Sequence, residues 1–207
     1  MGRICGLTVA DTQLVHDRNG EAGLLVARFD RRTTATGIQR FAQEDACQVL
    51  GRYPADKYLM TAEEVGLGLV RQCRAAPVAA LSLLQQFTFA YLSCNGDGHA
   101  KNFSILRHGD EWRISPAYDL PSSYPYRDRT MAISLNAKRD ERIGLTDFVT
   151  FAEQLGLRDR PARRAIGEIS ERADEWIDRL GELPFDERRI HDMTRAIRYR
   201  QRRLRGR

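Results

Sequence analysis

The stretch that decides the reading is Asn95-Gly96-Asp97-Gly98-His99-Ala100-Lys101-Asn102, followed by Ser115-Pro116-Ala117-Tyr118-Asp119. An Asp five residues before an Asn has the spacing D-x-x-x-x-N. In that arrangement a carboxylate can receive a hydroxyl proton while an amide oxygen across a tight loop holds a metal ion. Asp119 stands 17 residues after Asn102 and offers a further oxygen ligand. Between them, residues 103–106 and 112–115 read as strands joined by a turn at 107–111. Such a hairpin returns the second carboxylate to the first. Phosphoryl transfer needs positioning and charge neutralisation more than covalent chemistry. Magnesium prefers oxygen ligands and keeps several waters, so one or two protein ligands suffice. Asp97 is therefore the candidate base, and Asn102 and Asp119 are the candidate metal ligands. His99 or Lys101 could donate to the transferring phosphate.

Plainer readings compete. Asn95-Gly96 is a common turn dipeptide, and Asp119 could bond local backbone in a turn. A lone His99 suits a surface or capping position. Asn95, Asp97 and His99 alternate as in a calcium loop, but the twelfth position is Leu106 where Glu is needed. The order of elements favours transfer chemistry. Residues 77–92, PVAALSLLQQFTFAYL, are apolar around most of a helical circumference, which predicts a buried helix. Pro77 suits its first position. A buried helix, the loop, a hairpin and a returning Asp follow one another in the order found in protein kinases.

The chain has 207 residues, 42% hydrophobic and 29% charged, enough to bury a core. No apolar run approaches 18 residues, and the start lacks a basic and apolar leader, so no membrane and a cytoplasmic place are expected. Cys5, Cys47, Cys73 and Cys94 form no C-x-x-C pair and are expected as reduced, buried thiols. Net charge is +5 with a pI near 9.2. The basic residues are 30 Arg and 3 Lys, and no lysine precedes Lys57. Residues 188–207 hold nine Arg against one acid, Asp192. Residues 24–29 read as a strand and 33–37 as a polar break. Residues 41–50, 62–75, 145–155, 162–180 and 186–204 read as helices. The expected fold is mainly α with short β-strands, ending in an all-helical C-terminal subdomain.

The run from Asp97 to Ser104, followed by Ser115 to Asp119, resembles the HipA family of serine/threonine-protein kinase toxins. Residues 26–31, 43–51, the pair Lys57-Tyr58 and a strand-like stretch at 131–136 extend the resemblance, which covers about 22 to 155. It implies a protein-kinase-like C-lobe. Residues 1–40 would be an N-lobe remnant with the hinge strand. Residues 41–207 would be the C-terminal kinase lobe, with a catalytic loop at 95–102 and a metal-binding loop at 115–120. It further implies ATP and Mg2+ as cofactors and Asp97 as catalytic base. His99, Ala100, Lys101, Asn102, Tyr118 and Asp119 would contact ATP and metal, and backbone groups of Ala27, Arg28 and Phe29 would line the adenine hinge. By the same resemblance the substrate is a serine of a translation protein such as glutamyl-tRNA synthetase. The partner is a HipB-like helix-turn-helix antitoxin, through which DNA is mainly reached.

Two departures stand out. Family members are longer at the N-terminus, where a phosphate-covering loop and a phosphate-binding lysine lie. The hinge Glu of the family is Ala27 here. The chain is therefore expected to be a truncated product or half of a split kinase. Two other functions remain open at this level. One is a non-catalytic module that binds antitoxin or DNA through the arginines of 188–207. The other is a small-molecule phosphotransferase, suggested by His99 two residues after Asp97.

Overall fold

The computed structural model describes residues 1–206. Two antiparallel hairpins come early: β1 (Thr12–His16) with β2 (Ala22–Val26), and β3 (Arg31–Thr34) with β4 (Gly37–Arg40). The strand expected over 24–29 stops at Val26. The buried Asp30 carboxylate draws in Arg28 at 2.7 Å and Arg31 at 2.6 Å, and this curls the chain. The expected break at 33–37 is the tip of the β3–β4 hairpin.

The helix expected over 41–50 is a correction. Residues 43–45 form β5 (Gln43–Asp45), and only one helical turn follows, α1 (Ala46–Val49). Strand pairing overrides the local apolar pattern here. β5 lies against β6 (Ser104–His108), which pairs with β7 (Glu111–Ile114), all antiparallel. Asp45 then caps α1 through a reciprocal bond with Gln48.

α2 (Ala62–Gln72) begins at a Thr61–Glu64 capping box. Its two glycines allow close packing. A Cβ at Gly66 would lie 2.8 Å from Leu155, and one at Gly68 would lie 2.7 Å from Leu50. α3 (Ala76–Leu92) has Pro77 in its first turn, as its sequence requires. Residues 131–136 do not form a strand; Ser134 and Leu135 make isolated bridges only. Asn136 and Ala137, both at left-handed φ, turn the chain there. The helical end comprises α4 (Leu145–Gln154), α5 (Asp159–Arg172), α6 (Asp174–Ile177) and α7 (Glu187–Leu204). The single helix expected over 162–180 is broken at Ala173, between α5 and α6.

The core is built around α3. Leu83, Leu84, Phe87 and Tyr91 are fully buried. Phe87 stacks on Phe103 at 4.1 Å and meets Phe151 edge-on at 5.2 Å. Each such ring removed from water contributes about 1.5–3 kcal/mol. Cys5 and Leu7 join this core, and the Trp176 indole N–H donates to Cys5 Sγ at 3.2 Å. All four cysteines are buried free thiols, as expected. The two early hairpins stand outside the core, with Leu14, Leu24, Leu25 and Ile38 exposed. Among the described residues no helix is long and apolar enough to cross a membrane.

Candidate active site

α3 delivers the Asp97 loop. The Ser93 N–H closes on the Phe89 carbonyl at 2.8 Å, Cys94 takes a left-handed φ of +57°, and the Asn95 N–H reaches back to Ala90 at 2.9 Å. The Asn95 side-chain oxygen accepts the Asp97 N–H at 3.0 Å, a side-chain turn that Asn favours. The Gly96 N–H donates to Ser123 Oγ at 2.8 Å. A Cβ at Gly96 would overlap the Asp128 carboxylate and the Ser123 hydroxyl, so the close approach of these side chains requires glycine.

The Asp97 side chain is half exposed. Its Oδ1 accepts the Tyr58 hydroxyl at 2.7 Å, and no hydrogen bond within the described residues occupies Oδ2. The bond to Asp97 raises the Tyr58 phenol above its ordinary value, so it stays protonated. His99 is buried, with Nε2 4.0 Å from Asp97 Oδ1 and its ring edge-on to Tyr58 at 5.1 Å. Burial, and next the Lys57 cation, push its imidazole below the ordinary histidine value, against the pull of Asp97. The ring is therefore neutral at pH 7, and its Nδ1 has no partner among the described residues.

One 3-10 turn, Ala100–Asn102, carries the loop onward. The His99 N–H donates to Asn102 Oδ1 at 3.0 Å, and the Asn102 N–H donates to the His99 carbonyl at 2.9 Å. Asn102 Nδ2 donates to Asp119 Oδ2 at 2.6 Å across the β6–β7 hairpin. The hairpin thus brings together two side chains 17 residues apart, as the sequence pattern anticipates. Asp119 is exposed and sits at a left-handed φ of +53°. Tyr118 braces the turn. Its hydroxyl donates to the Lys101 carbonyl at 2.6 Å and touches the Ser104 hydroxyl. Burial pushes this phenol up to about 12, so it too remains protonated. The Lys101 ammonium lies 2.7 Å from Asp45 Oδ2. Ala100 is fully buried, and its N–H donates to the Lys57 carbonyl at 3.1 Å.

The hinge candidates divide. The Phe29 ring packs 5.6 Å from Tyr118, which places it at the rim of this cluster. Ala27 and Arg28 are exposed and lie outside any strand. The Ala27 N–H bonds the Asp11 carbonyl, and Arg28 pairs with Asp30. Tyr118 and Asp119 also wall a cavity of about 670 Å³ that is otherwise mainly apolar, with Val9, Val26, Phe89, Trp176 and Ile197 among its lining.

The donor set fits magnesium. Asp119 has one oxygen outside the Asn102 contact, and Asn102 Oδ1 keeps a second lone pair beyond its bond to His99. Two such oxygens and bound waters suit a hard cation. Sequence reasoning missed Tyr58, Ser123, Asp128 and Asp45. The pair Lys57-Tyr58 was visible as a motif, yet 39 residues separate Tyr58 from Asp97, and no local periodicity joins them.

Comparison with known proteins places this geometry. The model of the HipA-like C-terminal domain matches residues 1–177. The Sinorhizobium fredii protein named "Putative kinase Y4mE" is 31% identical over 207 residues, covering 93% of this chain and 48% of that protein. The serine/threonine-protein kinase toxin HipA of Shewanella oneidensis is 30% identical over 177 residues, covering 76% of this chain and 40% of its own length. The chain thus spans about half the length of the curated relatives it matches. Among solved structures, the Shewanella oneidensis complex of HipA, HipB and operator DNA aligns with a TM-score of 0.83 and 25% identity. That alignment covers 99% of this chain and 54% of the other. The Helicobacter pylori proinflammatory kinase CtkA shares the fold, with a TM-score of 0.66 and 16% identity, over 98% of this chain and 79% of the other.

Proposed function

The chain belongs to the HipA-like C-terminal domain family, and from that premise we propose that its Asp97 site serves ATP-dependent phosphorylation of a protein serine or threonine. The observation that carries this reading is the 2.6 Å contact between Asn102 and Asp119 on the same loop cluster as Asp97. Tyr58 holds Oδ1 of Asp97, so Oδ2 is left for the substrate hydroxyl. The serine oxygen attacks the γ-phosphorus, its proton passes to Asp97, and ADP leaves with the electron pair of the broken P–O bond. Asn102 and Asp119 would hold magnesium, which neutralises phosphate charge when bound. Neutral His99 would offer a donor to the transferring phosphate, and Phe29, which packs beside Tyr118, would contribute to an adenine hinge.

By extension from its relatives, the substrate is a translation protein such as glutamyl-tRNA synthetase, and the setting is a cytoplasmic type II toxin–antitoxin system. A HipB-like helix-turn-helix antitoxin is the proposed partner, with DNA reached mainly through it. These roles rest on family likeness and on a chain about half as long as the curated relatives.

A second reading, a binding module with little or no transfer activity, rests on the nine arginines of residues 188–207, which could neutralise the phosphates of a bound partner. Calorimetric titration of Mg-ATP into the wild-type chain and Asp119→Ala separates the readings. Magnesium-dependent binding that Asp119→Ala abolishes supports a working nucleotide site. Absence of binding selects the second reading.

A further inference from the structure

The arginines of α7 and Arg205 at its C-terminal cap fall into two sets, apart from Arg189, which pairs with Asp186 at 3.3 Å. One set holds the fold. Arg198 pairs with Asp174 and Asp178, and Arg200 donates to the Tyr91 and Arg129 carbonyls. Arg203 bonds the Arg142 carbonyl, and Arg205 bonds Asp174 and Ser170. The other set is Arg188, Arg195 and Arg202, all exposed. Among the described residues their guanidinium groups make no hydrogen bond and no ion pair. They are spaced by seven, so they form one stripe along the helix, with Tyr199 on the same stripe. Arg188 to Arg202 covers 14 residues, about 21 Å at about 1.5 Å per residue.

A second segment extends this stripe. Arg127 and Arg129 follow the 3-10 turn Tyr124–Tyr126, are exposed, and are likewise unpaired among the described residues. Two hollows of about 470 and 580 Å³ share Tyr124 and Arg129, which makes the surface continuous from α7 to this turn. Tyr126 is 76% exposed and Tyr199 is 38% exposed. Arg202 lies over the Tyr199 ring, and Arg129 lies over Tyr124. The segment adjoins the Asp97 loop through Ser123, which accepts the Gly96 N–H, and through Asp128.

We propose that this surface binds single-stranded nucleic acid, with Arg127, Arg129, Arg188, Arg195 and Arg202 on phosphates and Tyr126 and Tyr199 stacking on bases. Unpaired arginines interleaved with exposed aromatic rings are the arrangement that grips a strand by backbone and base face together. The stripe, about 21 Å long, accommodates a few nucleotides of an extended strand. Asp192, Asp186 and Glu141 border it, so it stays net positive without being uniformly so. Spaced contacts suit a flexible single strand better than a rigid duplex.

Fluorescence anisotropy tests this with labelled 12-nucleotide oligo-U RNA, the matching single-stranded DNA, a duplex, and a glutamate-rich peptide as competitor. The full chain should bind both single strands in about 50 mM salt, and affinity should fall with a log–log salt slope of about −3. Replacing Arg127, Arg195 and Arg202 together by Gln should weaken binding by about tenfold or more and flatten that slope. Tyr126→Ala should weaken it by about tenfold at unchanged slope. Asp97→Asn should leave it unaltered. RNA binding tighter than DNA would add a ribose contact to the same surface. Absence of binding overturns the proposal. So does binding indifferent to these substitutions, preference for the duplex, or equal displacement by the acidic peptide. The substituted arginines and Tyr126 are exposed and Asp97 is half exposed, and unchanged thermal unfolding would verify that each variant is folded.

Discussion

Replacing Asp174 by Asn should remove a pH-dependent clasp between α6 and α7. Gln201 Nε2 and Arg205 Nη2 each donate to this carboxylate at 2.9 Å, and Arg198 also pairs with it. The Gln201 hydrogen bond, followed by the Arg205 and Arg198 bonds, lowers the Asp174 carboxyl from 3.8 to about 2, against the opposing effect of burial. At about 1.4 kcal/mol per pH unit, that drop corresponds to about 2.5 kcal/mol. The side chain is 46% exposed, however, so water and salt screen the cluster, and about 1 kcal/mol is the expected share. A carboxyl with a depressed folded value stabilises the fold above its unfolded value, and the gain disappears as pH falls toward 2. Urea unfolding of wild type and Asp174→Asn at pH 7 and near pH 2.5 measures this directly. The gap should be about 1 kcal/mol at pH 7 and should shrink strongly in acid. An equal gap at both pH values, or none at pH 7 in moderate salt, would refute the linkage argument.

Gly96→Ala should cost about 1–3 kcal/mol, because the new Cβ displaces Ser123 and Asp128 from the loop. Denaturant unfolding reads this, and a stability within 0.5 kcal/mol of wild type would mean that the loop yields freely. Tyr58→Phe removes one hydrogen bond to Asp97 at an exposed site. It should change stability by less than about 1 kcal/mol and leave Mg-nucleotide affinity unchanged, yet lower the transfer rate by about tenfold through loss of orientation. A weakened nucleotide affinity with an unchanged rate would place Tyr58 in binding instead.

Some elements were legible because their information is local. The apolar circumference of 77–92 predicts a buried helix, and α3 spans Ala76–Leu92. Turn residues between apolar runs predict the β6–β7 hairpin, and it closes near Gly109. The helix expected over 41–50 failed because residues 43–45 take their conformation from β6, some 60 positions away. The break at Ala173 was equally hidden, since the apolar face runs on from Ile169 to Trp176 and Ile177, all buried.

Within the site, spacing alone associated Asp97, Asn102 and Asp119, because a tight loop and a hairpin are the only connections needed. Tyr58, Asp45, Ser123 and Asp128 reach that cluster from separate segments. Nothing in their local sequence records an approach that arises when α2 and the sheet pack on α3 and α1 packs on the Ala100–Asn102 turn. The same holds for the arginines of α7. Composition shows a basic helix, but which guanidinium groups are spent on Asp174, Asp178 and backbone carbonyls, and which remain at the surface, depends on the neighbours that folding supplies. The sequence by itself determined the candidate Asp97 loop and the helix that carries it, because hydrogen bonds and apolar period act over a few residues. Only the tertiary structure decided what braces that loop and which charges stay free, because burial and pairing are properties of segments brought together from across the chain.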